Sequence, residues 1–249
     1  MIGLTRNAVA LVLLGTTSLL AGAAAAQEPV WHEPSLGDQL LWFVLFDEFE
    51  YSSSNNGQDL AWDVEGWMGG NFNRVWLKTE GHSATSGADG AFEVQALYSR
   101  LIAPFWELQA GVRYDRDVSL SQSRAHAVVG LQGLAPYWFE LEPAIFLSED
   151  GDLSARFKGS RDLLVTQRLV LQPELEANFA ASTVEDWGVG SGLVDMSLGV
   201  RLRYEFRREI APYLGVNWLQ KFGATADLAR ARQLAVADTA FLVGVRAWF

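Results

Sequence analysis

The run from Val194 to Phe206 constrains the fold more than any other stretch of the chain. Every second residue is apolar or aromatic: Val194, Met196, Leu198, Val200, Leu202, Tyr204 and Phe206. Between them stand Asp195, Ser197, Gly199, Arg201, Arg203 and Glu205. A period of two puts the two sets on opposite faces of a strand, one of oil and one carrying charge. After a polar break that ends at Pro212, a second alternating run begins at Tyr213, so the pair reads as a β-hairpin. One such strand also fits a soluble sandwich, and only recurrence separates the two.

The pattern recurs. Twelve strand-like runs are predicted, at 40–51, 60–69, 73–81, 91–101, 105–116, 124–134, 137–149, 152–163, 166–179, 193–206, 211–222 and 239–249. In one, Leu108, Ala110, Val112 and Tyr114 oppose Glu107, Gln109, Arg113 and Asp115; in another, Leu169, Leu171, Leu175 and Phe179 oppose Arg168, Gln172, Glu174, Glu176 and Asn178. The breaks between runs alternate in length. Those near 70–72, 102–104, 135–136, 164–165 and 207–210 are tight. Those near 52–59, 82–90, 117–123, 180–192 and 223–238 are longer, with 149–151 the short member of that set. Short turns on one rim and long loops on the other are the layout of an outer-membrane barrel, periplasmic and extracellular respectively.

Three tight breaks share one local sequence: Ala103-Pro104-Phe105, Ala135-Pro136-Tyr137 and Ala211-Pro212-Tyr213. Proline can start a strand without a ladder donor, and the aromatic beside it is expected at the depth of an interfacial girdle. The last run presents Phe241, Val243, Val245, Ala247 and a terminal Phe249, which resembles the C-terminal signature of bacterial outer-membrane barrels. The expected fold is therefore all-β: a single transmembrane antiparallel β-barrel of twelve strands over residues 40–249, closed so that no edge is left in lipid. A periplasmic β-sandwich is the alternative, disfavoured by the ten tryptophans and the alternation of charge and oil.

Residues 1–26 read as a cleaved secretory signal peptide, with Arg6, an apolar middle and small residues at Ala24–Ala26; residues 27–39 read as a short periplasmic linker. Cleavage removes one arginine and no acid, so 18 basic residues face 30 acidic ones, a formal net charge of −12 in place of −11. That balance argues against nucleic acid as a partner and suits cations. With no cysteine in an exported chain, stability must come from a closed hydrogen-bonded fold and not from disulfides. No run approaches the ~18 apolar residues of a spanning helix.

The motifs resemble the copper resistance protein B family of outer-membrane proteins over residues 38–249. The matching stretches are Asp47–Tyr51 (DEFEY), Trp62–Glu80 (WDVEGWMGGNFNRVWLKTE), Tyr98–Asp115 (YSRLIAPFWELQAGVRYD), Gly130–Glu140 (GLQGLAPYWFE), Thr166–Pro173 (TQRLVLQP), Gly199–Tyr213 (GVRLRYEFRREIAPY) and Gly244–Phe249 (GVRAWF). The resemblance implies a barrel in the cell outer membrane that serves copper homeostasis by binding, sequestering or passing copper ions. It also implies a periplasmic multicopper oxidase as a functional neighbour. In one respect the chain departs from the family, whose members often carry a Met- and His-rich segment ahead of the barrel. Here that place is taken by Gln27–Gln39, with His32 and no methionine.

Beyond the initiator the methionines are Met68 and Met196, and the histidines are His32, His82 and His126. Thioether sulfur suits Cu(I) and imidazole suits Cu(II), so the chain is poor in both donors. Met68 is expected at the rim or in lipid, and Met196 in lipid. His32 falls in the linker, His82 in a long loop, and His126 in the lumen. The carboxylates are better placed. Asp47, Glu50, Asp63, Glu65 and Glu80, with His126, are the candidate copper ligands, in the lumen or at its rim. Because Asp47 and Glu48 alternate in direction, at most one of the two should face the lumen.

Two readings of these acids compete. Unpaired ones would make a cation-attracting path or a weak metal site; paired with Arg74, Lys78, Arg113, Arg156, Lys158, Arg168, Arg201, Arg203 and Arg246, they would simply fill a narrow barrel. The corresponding alternative function is a small non-selective outer-membrane channel or a structural barrel without a metal site. No Gly-x-Ser-x-Gly motif is present and no histidine sits in register with a serine and an acid, so no enzyme is expected.

Overall fold

The computed structural model describes residues 40–85 and 89–249. The expected signal peptide at 1–26, the expected linker at 27–39 and His32 all lie outside the described residues. The described residues form thirteen strands: β1 (Leu41–Ser54), β2 (Gly57–Gly69), β3 (Asn73–Ala84), β4 (Gly90–Ala103), β5 (Trp106–Asp117), β6 (Gln122–Ala135), β7 (Phe139–Ser148), β8 (Leu153–Ser160), β9 (Leu163–Leu164), β10 (Leu169–Ala180), β11 (Gly192–Tyr204), β12 (Ile210–Lys221) and β13 (Ala237–Trp248), with one α-helix among them, α1 (Gly223–Ala231). Strand β9 is a two-residue piece that pairs only with the foot of β10. The other twelve form one ring of antiparallel neighbours in sequence order, β8 pairing directly with β10.

The ring closes between β13 and β1, in register from Ser53 with Phe241 down to Leu45 with Trp248. The final residue joins the closure, since Phe249 N donates to Val44 O at 2.9 Å and Val44 N donates to Phe249 O at 3.1 Å. Closure leaves the ring without an edge, the condition for burying backbone in lipid. No helix among the described residues is long and apolar enough to cross a membrane, so any crossing is made by strands.

The alternation read at Val194–Phe206 decides which face is which. Leu198, Val200 and Leu202 are 44%, 45% and 42% exposed, while Arg201 and Arg203 between them are 6% and 3% exposed. A soluble barrel would invert this. Charge inside and oil outside define a membrane barrel.

The connections of 181–191 and 222–236 are long, but the loop expected at 52–59 is a two-residue turn between Ser54 and Gly57, and those near 82–90 and 117–123 shorten because β3 runs to Ala84 and β6 starts at Gln122. Three further revisions concern the tight turns and the longest loop. First, Ala211-Pro212-Tyr213 is not a turn: it lies inside β12, and Tyr213 is buried, its hydroxyl donating to Glu50 at 2.9 Å. The strand begins at Ile210, two residues ahead of the proline, and runs through it because Pro212 needs no ladder donor. Second, Phe105 and Tyr137 do sit at tight turns, but in the left-handed region, each at φ 66, so the following strands begin only at Trp106 and Phe139. Third, the span 223–238, expected to be a loop, contains α1.

A β-bulge corrects a fourth expectation. Phe46 pairs with Val64 and Glu48 with Asp63, leaving Asp47 as the extra residue on β1. The insertion shifts the alternation by one, so that both Asp47 and Glu48 reach the lumen, where they meet Arg246 and Arg201, each at 2.5 Å.

Candidate functional site

The lumen is filled with charge. On the β11 wall, Arg201 meets Glu48 at 2.5 Å, Glu174 at 3.1 Å and Glu50 at 3.3 Å. Glu50 also accepts from Tyr213, on the same oxygen that meets Arg201. Below it, Arg203 binds Asp162 at 2.6 Å and Gln172 at 3.2 Å. Near the tight-turn end, Arg74 meets Glu107 at 2.6 Å, and that same carboxylate accepts from Trp76 Nε1 at 3.2 Å and from the Ser99 hydroxyl.

Other pairs cross the lumen. Lys158 on β8 reaches Asp63 on β2 at 2.6 Å, and β2 and β8 stand opposite each other in the ring. Lys78 on β3 reaches Glu142 on β7 at 2.7 Å, with Gln132 of β6 at 3.1 Å and Glu65 of β2 at 3.3 Å. Arg156 on β8 spans to Glu93 on β4 at 2.9 Å and to Glu80 on β3 at 3.4 Å. Such cross-barrel pairs tie opposite walls together. They also divide the lumen, which carries no uninterrupted charged wall of one sign.

Around these bridges lies a cavity of ≈ 440 Å³. Eight carboxylates line it, from Asp47, Asp63, Glu65, Glu80, Glu93, Glu140, Glu142 and Glu174, against four cations, Lys78, Arg156, Lys158 and Arg246. One wall is apolar, built from Leu97, Val128 and Phe146 with Trp76 packed against them. The acids therefore outnumber the cations two to one in a space large enough for a hydrated ion. Glu140 forms no ion pair within 4 Å among the described residues, and Glu80 is the most exposed paired acid of the set, at 37%.

Of the six residues expected to hold copper, Asp47, Asp63, Glu65 and Glu80 line this one cavity. Glu50 does not; it is clamped between Arg201 and Tyr213 on the wall. His126 faces inward but lies nearer the long-loop end, 3.7 Å from Asp115 and edge-on to Phe146. His82 belongs to β3 and not to a loop, and shares a hollow with Glu80, Asp115 and Asp117. Met68 is 53% exposed on the outer surface, so the described lumen offers oxygen and little else as donor. Among the described residues no three His, Asp or Glu side chains converge as a metal cage. The cavity is also lined by Glu93 and Glu174 and, on β7, by Glu142 and Glu140, none of them among the six expected ligands. The place of these last two, opposite Lys78 and beside Arg246, follows from the ring closure and could not be read from spacing within one strand.

The fold and the charged lumen define a porin-like barrel of the outer-membrane class. Solved structures agree: NanC porin superposes with a TM-score of 0.53 at 12% identity, covering 83% of this chain and 99% of that one. KdgM porin gives 0.52 at 13% identity, covering 83% and 98%. At such identities the likeness is one of fold alone. A family model described as copper resistance protein B precursor matches residues 40–249. Copper resistance protein B of Escherichia coli is 44% identical over 208 residues, covering 84% of this chain and 69% of its own length. The copper resistance protein B homolog of Pseudomonas syringae pv. tomato (strain ATCC BAA-871 / DC3000) is 39% identical over 207 residues, covering 83% and 69%. The chain belongs to the copper resistance protein B family.

Proposed function

We propose that the barrel serves copper resistance from the cell outer membrane by admitting copper ions to its lumen, where the surplus carboxylates hold them weakly and so sequester or pass them. The tight turns would face the periplasm and the long loops the exterior. The observation that carries this reading is the two-to-one excess of carboxylates over cations around the ≈ 440 Å³ cavity. Asp63, Glu65 and Glu80, with Asp47 at the bulge, are the residues assigned to the ion. Rings of acidic side chains favour cations in this way. Oxygen donors, with the methionines kept out of the cavity, suit Cu(II) better than Cu(I). The barrel would do this without catalysis, and a periplasmic multicopper oxidase would be a functional neighbour able to handle what the barrel holds or delivers.

The second reading, a structural barrel or small non-selective channel, is favoured by the Lys158–Asp63 and Lys78–Glu142 bridges, which hold the lumen wall to wall. The two separate in cells carrying Asp63→Asn, Glu65→Gln and Glu80→Gln together. These changes leave five cavity carboxylates against four cations, which cuts the surplus from four to one; Lys78 keeps Glu142, while Lys158 loses its pairing with Asp63. Lower copper tolerance with normal heat-modified gel mobility supports the first reading; unchanged tolerance supports the second.

A further inference from the structure

A segment of chain crosses the long-loop end. Between β10 and β11 the chain turns inward as residues 181–191, and a short 3-10 turn at Glu185–Trp187 carries Trp187 at its tip. Trp187 lines two hollows at once. One, of ≈ 200 Å³, it shares with Glu80, His82, Glu93, Asp115 and Asp117 of β3, β4 and β5. The other, of ≈ 130 Å³, it shares with Arg124, His126, Asp152 and Ser154 of β6 and β8 and its flank. A side chain rooted between β10 and β11 thus reaches the far side of the ring. Glu80 and Glu93 line both the first hollow and the main cavity, so the indole stands directly on the route from the long-loop end to that cavity.

Each part of the strap is fastened. At its root, Ser182 donates to Asp152 at 2.8 Å and Ala181 N donates to Leu153 O at 2.8 Å. Val184 and Val189 pair with each other to close a tight loop around the indole, and Gly188 takes φ 66, where a side chain would be strained. The guanidinium of Arg124 lies 5.2 Å from the Trp187 ring centroid and is itself held by Asp150 and Asp152, at 3.2 Å each. Helix α1 supports the strap from the other loop. Gly190 N donates to the buried Thr225 hydroxyl at 2.9 Å, and a Cβ on Gly190 would stand 2.2 Å from Thr225 N, so only glycine allows the two segments to meet. Arg232, just past the helix, donates to Glu185 O.

We infer that residues 181–191 form an internal strap whose Trp187 side chain limits access to the acidic cavity from the long-loop end. The inference deepens the proposed function by naming the side chain that controls what reaches the carboxylates, but it concerns access and not the identity of the ion. A fixed strap with one bulky tip selects by size and admits small ions past the indole edge. It excludes larger cations that the acidic cavity would otherwise attract.

The absence of cysteine gives a clean background for the test. Gln95 lines the cavity and is nearly buried, so Gln95→Cys places a reporter thiol beyond the strap. The reaction of this thiol with a bulky cationic methanethiosulfonate is followed in the detergent-folded barrel, with or without Trp187→Ala. Removal of the indole is expected to speed labelling by about ten-fold or more, the equivalent of about 1.4 kcal/mol of barrier. Trp187→Phe should stay near the native rate. Equal rates with and without the indole, in barrels of normal heat-modified mobility, would overturn the inference. If Trp187→Ala does not fold, Arg124→Met, which unpins the ring but keeps it, should give an intermediate acceleration; no acceleration there would overturn the inference equally. Because the readout uses no copper, it fails or succeeds independently of the metal reading.

Discussion

Two groups of carboxylates share one lumen and are held in opposite ways. On the β11 wall, Glu48, Glu50 and Glu174 converge on Arg201, and Tyr213 takes up a remaining lone pair of Glu50. Across the cavity, Asp63 and Glu142 are met by lysines that reach from distant strands and Glu65 by Lys78 of the neighbouring strand, while Glu140 has no ion-pair partner within 4 Å among the described residues. The wall group uses one arginine, whose planar fork engages several acceptors in fixed geometry; these cavity acids use lysine, a compact charge on a flexible stem, while Arg156 and Arg246 hold Glu93, Glu80 and Asp47. Wall charges sit where the ring needs to be clamped, next to the β13–β1 closure. Cavity charges leave negative potential unspent. The same residue types thus do structural work in one place and offer a cation site in the other, and the difference lies in how many cations stand beside them.

That contrast can be broken at Arg201. Arg201→Met leaves three nearly buried carboxylates without their common partner, a loss of about 3–5 kcal/mol for a broken buried pair. The temperature at which the barrel loses its heat-modified gel mobility should fall sharply. A variant as stable as the native barrel would show that the wall group is not a clamp.

A smaller and opposite effect is expected at Lys158. Lys158→Met removes one of four cavity cations and frees Asp63. Copper affinity should rise by about ten-fold, or about 1.4 kcal/mol, in competition against a chromophoric chelator. Weaker binding would mean that the lysine positions the site and does not compete with the ion. The smallest effect belongs to Tyr213→Phe, which deletes one buried hydrogen bond to Glu50 while Arg201 stays on that carboxylate, at a cost of about 1 kcal/mol. It should lower barrel stability slightly and leave copper binding unchanged, since Tyr213 lies off the cavity.

Much of this was legible in the chain. The strand alternation, the unequal connections and the terminal Phe249 fix the strand count, the direction of the oily face and the closure, because a two-residue period survives without any knowledge of neighbours. The errors arise where that period is interrupted. The bulge at Asp47 turned both acids inward, and Pro212 ran on inside a strand. The segment Gly223–Ala231 hid a helix within what reads as a polar loop. The candidate site was half legible for a related reason. Alternation shows that Asp63, Glu65 and Glu80 point inward, but not that Glu50 would meet Arg201, 151 positions away, or that Glu142 would cross to Lys78. Those meetings depend on the diameter of the ring and its stagger, which no local pattern encodes. Likewise the placement of Trp187 across the mouth depends on α1 and Gly190, two segments brought together only in the closed barrel.

The most direct measurement is calorimetry of Cu(II) on the detergent-folded barrel, with zinc and calcium as controls, for the native chain and for the Asp63→Asn, Glu65→Gln, Glu80→Gln variant. The account predicts saturable binding that prefers copper and disappears in the variant while the barrel stays folded. Heat no greater than that of the controls, or copper binding that survives the loss of all three carboxylates, would contradict it.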